Sequence, residues 1–322
     1  SRISLSYVLG FAPMQRIFVT GGTGFVGKQV IRALVAQGFL VRALVRHGSE
    51  RDLQGFESIE RVPGDVRKPD TLPASVEGCS AVVHLVGIIR EQRSRGVTFD
   101  ALHTRATQNI LAVARAAEVK RFLHMSALGT RPDARSRYHR TKWAAEQAVR
   151  TSGLDWTIFR PSVIFGRGDE LVTMLAGMIR RLPAVPAPGD GRYRLQPIAV
   201  EQVAEGFARA ARNQRSVGHV YGVAGPADYP FVEILDRIGR AVGRARVRKL
   251  HVPLGPVRTP TSMLQALPFF PLTRDQLTML EEENVTDPSA FYADFGIRPE
   301  PFDLGLARMF AEGGTPAKIA RA

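Results

Sequence analysis

In Ile17-Phe18-Val19-Thr20-Gly21-Gly22-Thr23-Gly24-Phe25-Val26-Gly27 a short apolar run of strand type meets glycines spaced Gly21-x-x-Gly24-x-x-Gly27. Residues 28–35 follow as a helix, with Val30 and Leu34 on its inward face. A strand that turns through glycines into a helix is a phosphate cradle. The glycines permit the tight turn, the close approach of backbone to a pyrophosphate, and tight packing of helix on strand. The unpaired N–H groups and partial positive charge of the helix start favour the anion. Thr20, Gly21, Gly24, Phe25, Val26 and Gly27 are the binding candidates here. The same stretch spells Gly22-x-x-x-x-Gly27-Lys28, most of a nucleoside-triphosphate loop. Gln29 stands where that motif needs Ser or Thr to hold magnesium, which argues against it.

The 322 residues leave room for a large α/β domain and a smaller one. The longest apolar run, 171–179, is too short to span a bilayer. A lone cysteine, Cys79, excludes an internal disulfide and suits a reducing compartment, so a cytoplasmic location is expected. Seven dispersed histidines without an HxxxH or CxxC pair point to no metal site. The net charge of +14 favours an acidic partner, but no helix-turn-helix, zinc-finger or RNP pattern aims it at nucleic acid. The densest basic run is Arg237, Arg240, Arg244, Arg246, Arg248 and Lys249. Within it Arg244-Ala245-Arg246-Val247-Arg248 alternates as on the wet face of a strand. It reads as a solvated face, or as a surface for an anionic membrane or an acidic subunit.

Residues 1–13 precede Met14, which sits just ahead of the first strand; the expectation is that Met14 is the natural start and that 1–13 is an extension outside the fold. After the first helix, Gly38 ends the turn and 40–45 reads as a second strand. A nucleotide-binding βαβ unit that prefers NAD carries an acid at this strand's end, on the ribose 2′-hydroxyl. Here the strand ends in Arg46-His47. An arginine suits a 2′-phosphate through charge-assisted, potentially bidentate bonds, so NADP(H) is the preferred cofactor and NAD(H) the alternative. Residues 59–62, the turn Gly64-Asp65-Val66, the buried run 81–87, a helix over 101–117 and a strand over 121–126 continue the alternation of a doubly wound parallel sheet. His84 and His124 lie inside strands and read as packed core histidines.

Tyr138-His139-Arg140-Thr141-Lys142 opens a further helix, which puts Tyr138 and Lys142 at i, i+4 on one face. Ala145 and Val149 continue that face toward the sheet. A lysine beside a tyrosine favours the phenolate, so a lowered Tyr138 pKa is expected, suited to proton exchange near neutrality.

Together these residues resemble the short-chain dehydrogenase/reductase superfamily in its extended and atypical branches. The motifs are Thr20-Gly21-x-x-Gly24-x-x-Gly27, Gly64-Asp65-Val66, the strand through Gly87, Tyr138-x-x-x-Lys142, and Arg160-Pro161-Ser162-Val163-Ile164-Phe165-Gly166. Later blocks around Gln196-Pro197, Tyr221-Gly222-Val223, Glu283-Asn284-Val285 and Phe295-Gly296-Ile297 are similar to the atypical branch typified by the NAD(P)H-binding accessory subunit of respiratory complex I and its bacterial homologues. The resemblance implies a Rossmann-type dinucleotide-binding domain over 14–165, completed by parts of 190–225. It also implies a smaller substrate or docking domain over 166–312, with 313–322 a mobile tail. It places Asp65 and Val66 beside the adenine, and Leu85, Val86 and Gly87 beside the ribose and nicotinamide. The resemblance also implies that Lys142 holds the nicotinamide ribose and that Pro161 to Val163 touch the nicotinamide. The superfamily's third catalytic residue is a Ser or Thr; here that position falls on Ala127, with Ser126 one residue early.

Two functions follow from the resemblance. One is an oxidoreductase or epimerase-like enzyme acting on a carbonyl or quinone-like substrate, with Tyr138 as acid/base, Lys142 as its tuner and Ser126 as polariser. The other is a silent cofactor-binding accessory or assembly subunit of respiratory complex I or a quinone-synthesis complex, peripheral at the inner-membrane face. The stretch 253–271 reads as a core-facing helix ended by Pro268, with a lid or lipophilic docking surface as the alternative.

Overall fold

The computed structural model describes residues 14–252, 276, 278, 279, 282 and 284–311; the expectations for 1–13, for 253–271 and for the tail fall outside them. The apolar run ahead of the glycines forms strand β1 (Arg16–Thr20), buried at all but its first residue. It lies between β2 (Leu40–Val45) and β4 (Ala81–His84). The sheet continues through β3 (Glu60–Pro63) on one side. On the other side follow β5 (Arg121–Met125), β6 (Asp155–Pro161) and β7 (His219–Val223). All seven strands are parallel, in the order β7-β6-β5-β4-β1-β2-β3. Strand order therefore reverses beside β1, which opens a crevice at the carboxyl ends of β1 and β4.

Helices cover both faces, as an all-parallel sheet requires. Helices α1 (Phe25–Ala36), α5 (Val200–Ala210) and α7 (Ser289–Phe295) pack on one, burying Val30, Leu34, Phe207 and Phe291 against Val19, Val83 and Phe159. Helices α2 (Ala106–Ala116) and α3 (Arg137–Arg150) pack on the other, with Ile110 and Val149 against Phe18, Phe122 and Ile158. A separate apolar cluster joins α4 (Leu171–Arg181), α6 (Phe231–Ala241) and α8 (Phe302–Ala311) through Leu175, Leu235 and Phe302.

Two expectations are corrected. The run 81–87 is strand only to His84; Leu85 N–H still donates to Thr20 O, and the chain then leaves the sheet beside the glycine turn. The alternating arginines at 244–248 are not a strand. Val247 fills the space that the missing side chain of Gly239 leaves on α6, which bends this connection inward, and pairing with Val185–Pro188 begins at Lys249.

Candidate functional site

Steric demand explains the glycine turn. Gly21 has φ +76°, and a Cβ there would lie 3.0 Å from the carbonyl carbon of Leu85. A Cβ on Gly27 would meet Gly21 O at 2.1 Å. Gly24 N–H donates to Gly21 O at 3.1 Å, and Gly24 precedes α1 without a side-chain cap or a first-turn acid. The first-turn N–H groups at Phe25, Val26 and Gly27 thus have no competing acceptor, and the backbone is bare where a pyrophosphate must approach. This cradle fits a dinucleotide. The Phe25 ring leans on the Gly166–Gly168 loop, 3.7 Å from where Cβ atoms on those glycines would lie. The Thr20 hydroxyl turns into the core, 2.7 Å from His84 Nδ1.

At the other end of the crevice Arg46 is exposed at the end of β2, which Gly64 N–H continues by donating to Val45 O. Asp65 accepts from Arg67 Nη2 at 2.7 Å, Nε at 3.1 Å and backbone N–H at 2.9 Å. Burial opposes its ionisation, yet these bonds and the nearby Arg46 charge hold its carboxyl below the usual carboxylate range. Val66 is buried, and its carbonyl accepts from Asn109.

On the far side of β4, α3 starts with Ser136, whose hydroxyl accepts from His139 N–H. That start aims Tyr138 and Lys142 into the crevice, both buried. Lys142 Nζ donates to Met125 O at 3.0 Å and lies 3.0 Å from where a Cβ on Gly87 would be. Burial pushes its ammonium down to about 8, with Glu146 pulling the other way. Tyr138 sits among Phe99 and Ala127, with Ile88 and Met279 packed alongside. Its pKa is pushed up by burial to about 12, which corrects the expected depression. The ammonium is committed to the Met125 carbonyl, and the apolar surroundings penalise the phenolate.

The Ser126 hydroxyl is buried and donates to Thr130 at 3.3 Å, while the methyl of Ala127 packs on the tyrosine. Pro161 ends β6 at the same edge and Val163 follows it; their carbonyls accept from Leu128 and Ile198 N–H. One neighbour went unread in the sequence. His103 lies in a π-helical turn, Asp100–Arg105, ahead of α2. Its ring is 5.1 Å from that of Tyr138; Nδ1 bonds Thr141 at 2.9 Å and Nε2 meets Ile88 N–H at 3.2 Å. Single π turns are frequent at functional sites, but nothing in the residue pattern marks this one.

His84 and His124 pack in the core as expected. His84 bonds Thr20 and Thr107 and stacks on His124 at 5.6 Å; neither His124 nitrogen has a hydrogen-bond partner among the described residues. Burial, with Lys142 nearby, pushes His84 down to about 3, and His103 and His124 fall well below the usual imidazole value. Unfolded imidazoles protonate near pH 6.5, so below that pH acid binds the unfolded chain preferentially. Stability is complete above about pH 7 and is lost as pH falls toward 3. His84 alone contributes a slope of about 1.4 kcal/mol per pH unit across that window. Denaturant unfolding between pH 7 and 4.5 should show this slope, reduced by about one proton in His84→Asn. An unchanged slope in the variant rejects the assignment.

A doubly wound sheet with a glycine cradle on β1 and a Tyr–Lys helix at the same edge defines a dinucleotide-binding protein. An NAD(P)H-binding family model matches residues 21–175. The subunit named NADH dehydrogenase (ubiquinone) 1 alpha subcomplex subunit 9, mitochondrial, of Arabidopsis thaliana is 27% identical over 297 residues, 89% of this chain and 73% of that protein. A ceramide reductase of Caulobacter vibrioides is 29% identical over 259 residues, 78% of this chain and 77% of that protein. The 4-hydroxy-2-methyl-3-oxo-4-farnesyl-3,4-dihydroquinoline-1-oxide ketoreductase of Stigmatella aurantiaca is 31% identical over 228 residues, 64% of this chain and 67% of that protein. The chain belongs to the NAD(P)H-binding family that these relatives share. Among the described residues no helix is long and apolar enough to cross a membrane, and no three His, Cys, Asp or Glu side chains are grouped to hold a metal.

Proposed function

We propose that this protein is an NADP(H)-dependent reductase of a lipophilic ketone. The observation that carries the reading is the convergence of the glycine cradle and the buried Tyr138–Lys142 pair on one sheet edge, with Lys142 Nζ against Gly87. Reduced nicotinamide bound there would supply hydride to the carbonyl carbon. Tyr138 would donate the proton to the carbonyl oxygen, Lys142 would hold the ribose, and Pro161 and Val163 would back the ring. The apolar wall of Phe99, Ile88, Ala127 and Met279 suits a greasy substrate. Two relatives are named for reducing a ceramide and a farnesylated ketone, which supports the same class. The cofactor domain is taken as 14–165 with parts of 190–225, supported by β7 at the sheet's edge and α5 on α1. Residues 166–312 supply most of the substrate side. The test is to purify the protein, identify its nucleotide, and follow reduced-nicotinamide absorbance with ketones that do or do not carry a prenyl or acyl tail. Failure to bind either dinucleotide ends this reading.

The preference for NADP(H) rests on Arg46, placed beside Asp65 with no acid at the strand's end. Arg46→Ala should weaken NADPH binding about tenfold, or 1.4 kcal/mol, and leave NADH within about twofold. Titration of both reduced cofactors checks it; equal losses defeat the 2′-phosphate assignment.

A second reading is a silent accessory or assembly subunit at the inner-membrane face. It is favoured by Ala127 in place of a hydroxyl, and by a basic depression of about 740 Å³ lined by Arg240, Arg246, Arg248 and Lys249. Bound nucleotide then stabilises the fold by linkage alone. Cofactor binding without turnover on any ketone, together with salt-sensitive binding to anionic vesicles, would leave this reading standing.

A further inference from the structure

One acidic side chain bound to the Tyr138 helix comes from far along the chain. Glu282 is buried, 4% exposed, and lies 143 residues beyond His139. Its Oε2 is 2.7 Å from His139 Nδ1. Its Oε1 accepts from the backbone N–H of Arg135 at 2.7 Å and from the Arg131 guanidinium at 3.0 Å. One carboxylate therefore binds three points of the connection between β5 and the first turn of α3. The imidazole it holds lies flat over Gly129, where a Cβ would come within 3.0 Å of the ring and φ is +85°. Any side chain at 129 would press on the His139 ring and strain the backbone.

The same segment touches both walls of the crevice. Met279 packs in the Tyr138 cluster, and Asn284 Nδ2 donates to the carbonyls of Met279 and Glu282, closing the turn on itself. Asn284 O accepts from Ser162 Oγ at 3.0 Å, on the turn that follows β6. His139 is next in sequence to Tyr138, and their rings meet edge-on at 5.2 Å. A shift of the imidazole thus moves the tyrosine.

From this geometry we infer that Glu282 is a positioning residue for Tyr138. Its carboxylate fixes the 128–136 connection and the His139 ring, and so sets where the phenol stands in the crevice. Burial opposes ionisation of Glu282, but the His139, Arg135 and Ser136 bonds hold its carboxyl below the usual range, so the clamp is anionic at neutral pH. Burial keeps His139 below its ordinary pKa, although Glu282 pulls it upward; among the described residues Arg131 also faces the pair. A buried carboxylate with charge-assisted donors on every side is a stiff restraint, because losing any one bond strands the others.

The inference rests on the catalytic reading of Tyr138 only for its activity arm. Glu282→Gln keeps the shape and removes the charge. Hydrogen–deuterium exchange on the full chain should speed at least tenfold over 128–139, far from residue 282 in sequence, while β1 and α1 amides stay unchanged. Ketone kcat should fall about tenfold with the NADPH Kd within twofold. His139→Gln should have the same effect, and the double variant should be no worse than either single one. Exchange that rises only around residues 276–286, or strictly additive variants, overturns the inference. A wild-type protein that reduces no ketone tells against the reductase reading alone; the exchange measurement then decides this one.

Discussion

Gly27→Ala is expected to abolish dinucleotide binding and to lower stability at the same time. The added Cβ meets Gly21 O at 2.1 Å and Gly22 Cα at 2.7 Å, both backbone atoms that no rotamer change can move. The start of α1 must back away from the turn. Its donors then no longer converge on the pyrophosphate, and the seat of Val30, Ile31 and Leu34 against the sheet loosens. Gly24→Ala separates the two effects. Its Cβ lies 3.4 Å from Gly21 O, an ordinary contact, on an exposed residue with φ −76°. That variant should fold with unchanged stability and still lose affinity, because the methyl stands where the pyrophosphate must approach. Calorimetric titration with NADPH should show at least about a hundredfold loss for Gly27→Ala, equivalent to 2.7 kcal/mol, and a lower Tm for this variant only. NADPH affinity within threefold of wild type in Gly27→Ala would refute the assignment of the turn.

The parts of this fold legible in the sequence are those set by local sterics and periodicity. Strands 16–20 and 40–45 and the Tyr138 helix fall where the residue pattern puts them, because glycine conformation and 3.6- or 2-residue periods act over a few positions. The errors are all nonlocal. Arg244 to Arg248 alternate like a strand, yet their course is set by the gap at Gly239. The sequence shows only the lysine four residues from Tyr138, whereas the groups that bury the phenol come from Phe99, Ala127 and Met279, distant in sequence. The π turn that presents His103 and the reach of Glu282 to His139 depend on tertiary packing, which no window of sequence contains.

Tyr138→Phe is expected to cut ketone reduction by about 10²–10⁴ while leaving the Tm unchanged. Among the described residues the phenol makes no hydrogen bond and its ring packs on apolar groups, so phenylalanine keeps every described contact of the ring. A loss of rate at constant stability and constant NADPH affinity assigns the hydroxyl to the chemistry. The raised pKa also sets a direction. With its phenol at about 12, Tyr138 is protonated at neutral pH, the state that gives a proton to a nascent alkoxide. Reduction should therefore be insensitive to loss of the Tyr138 proton between pH 6 and 9. Alcohol oxidation, which needs the phenolate, should climb about tenfold per pH unit toward 12. A reduction rate that follows a Tyr138-dependent group titrating near pH 7 would instead mean that bound cofactor and substrate restore the depressed pKa expected from the Tyr–Lys spacing. The neighbouring substitutions complete the argument. Ala127→Ser places a hydroxyl against the Tyr138 ring and should raise kcat several-fold, whereas Ser126→Ala, whose hydroxyl faces Thr130, should stay within twofold. If Ser126→Ala abolishes turnover and Ala127→Ser is silent, Ser126 is the polariser and the strand end must rearrange when substrate binds.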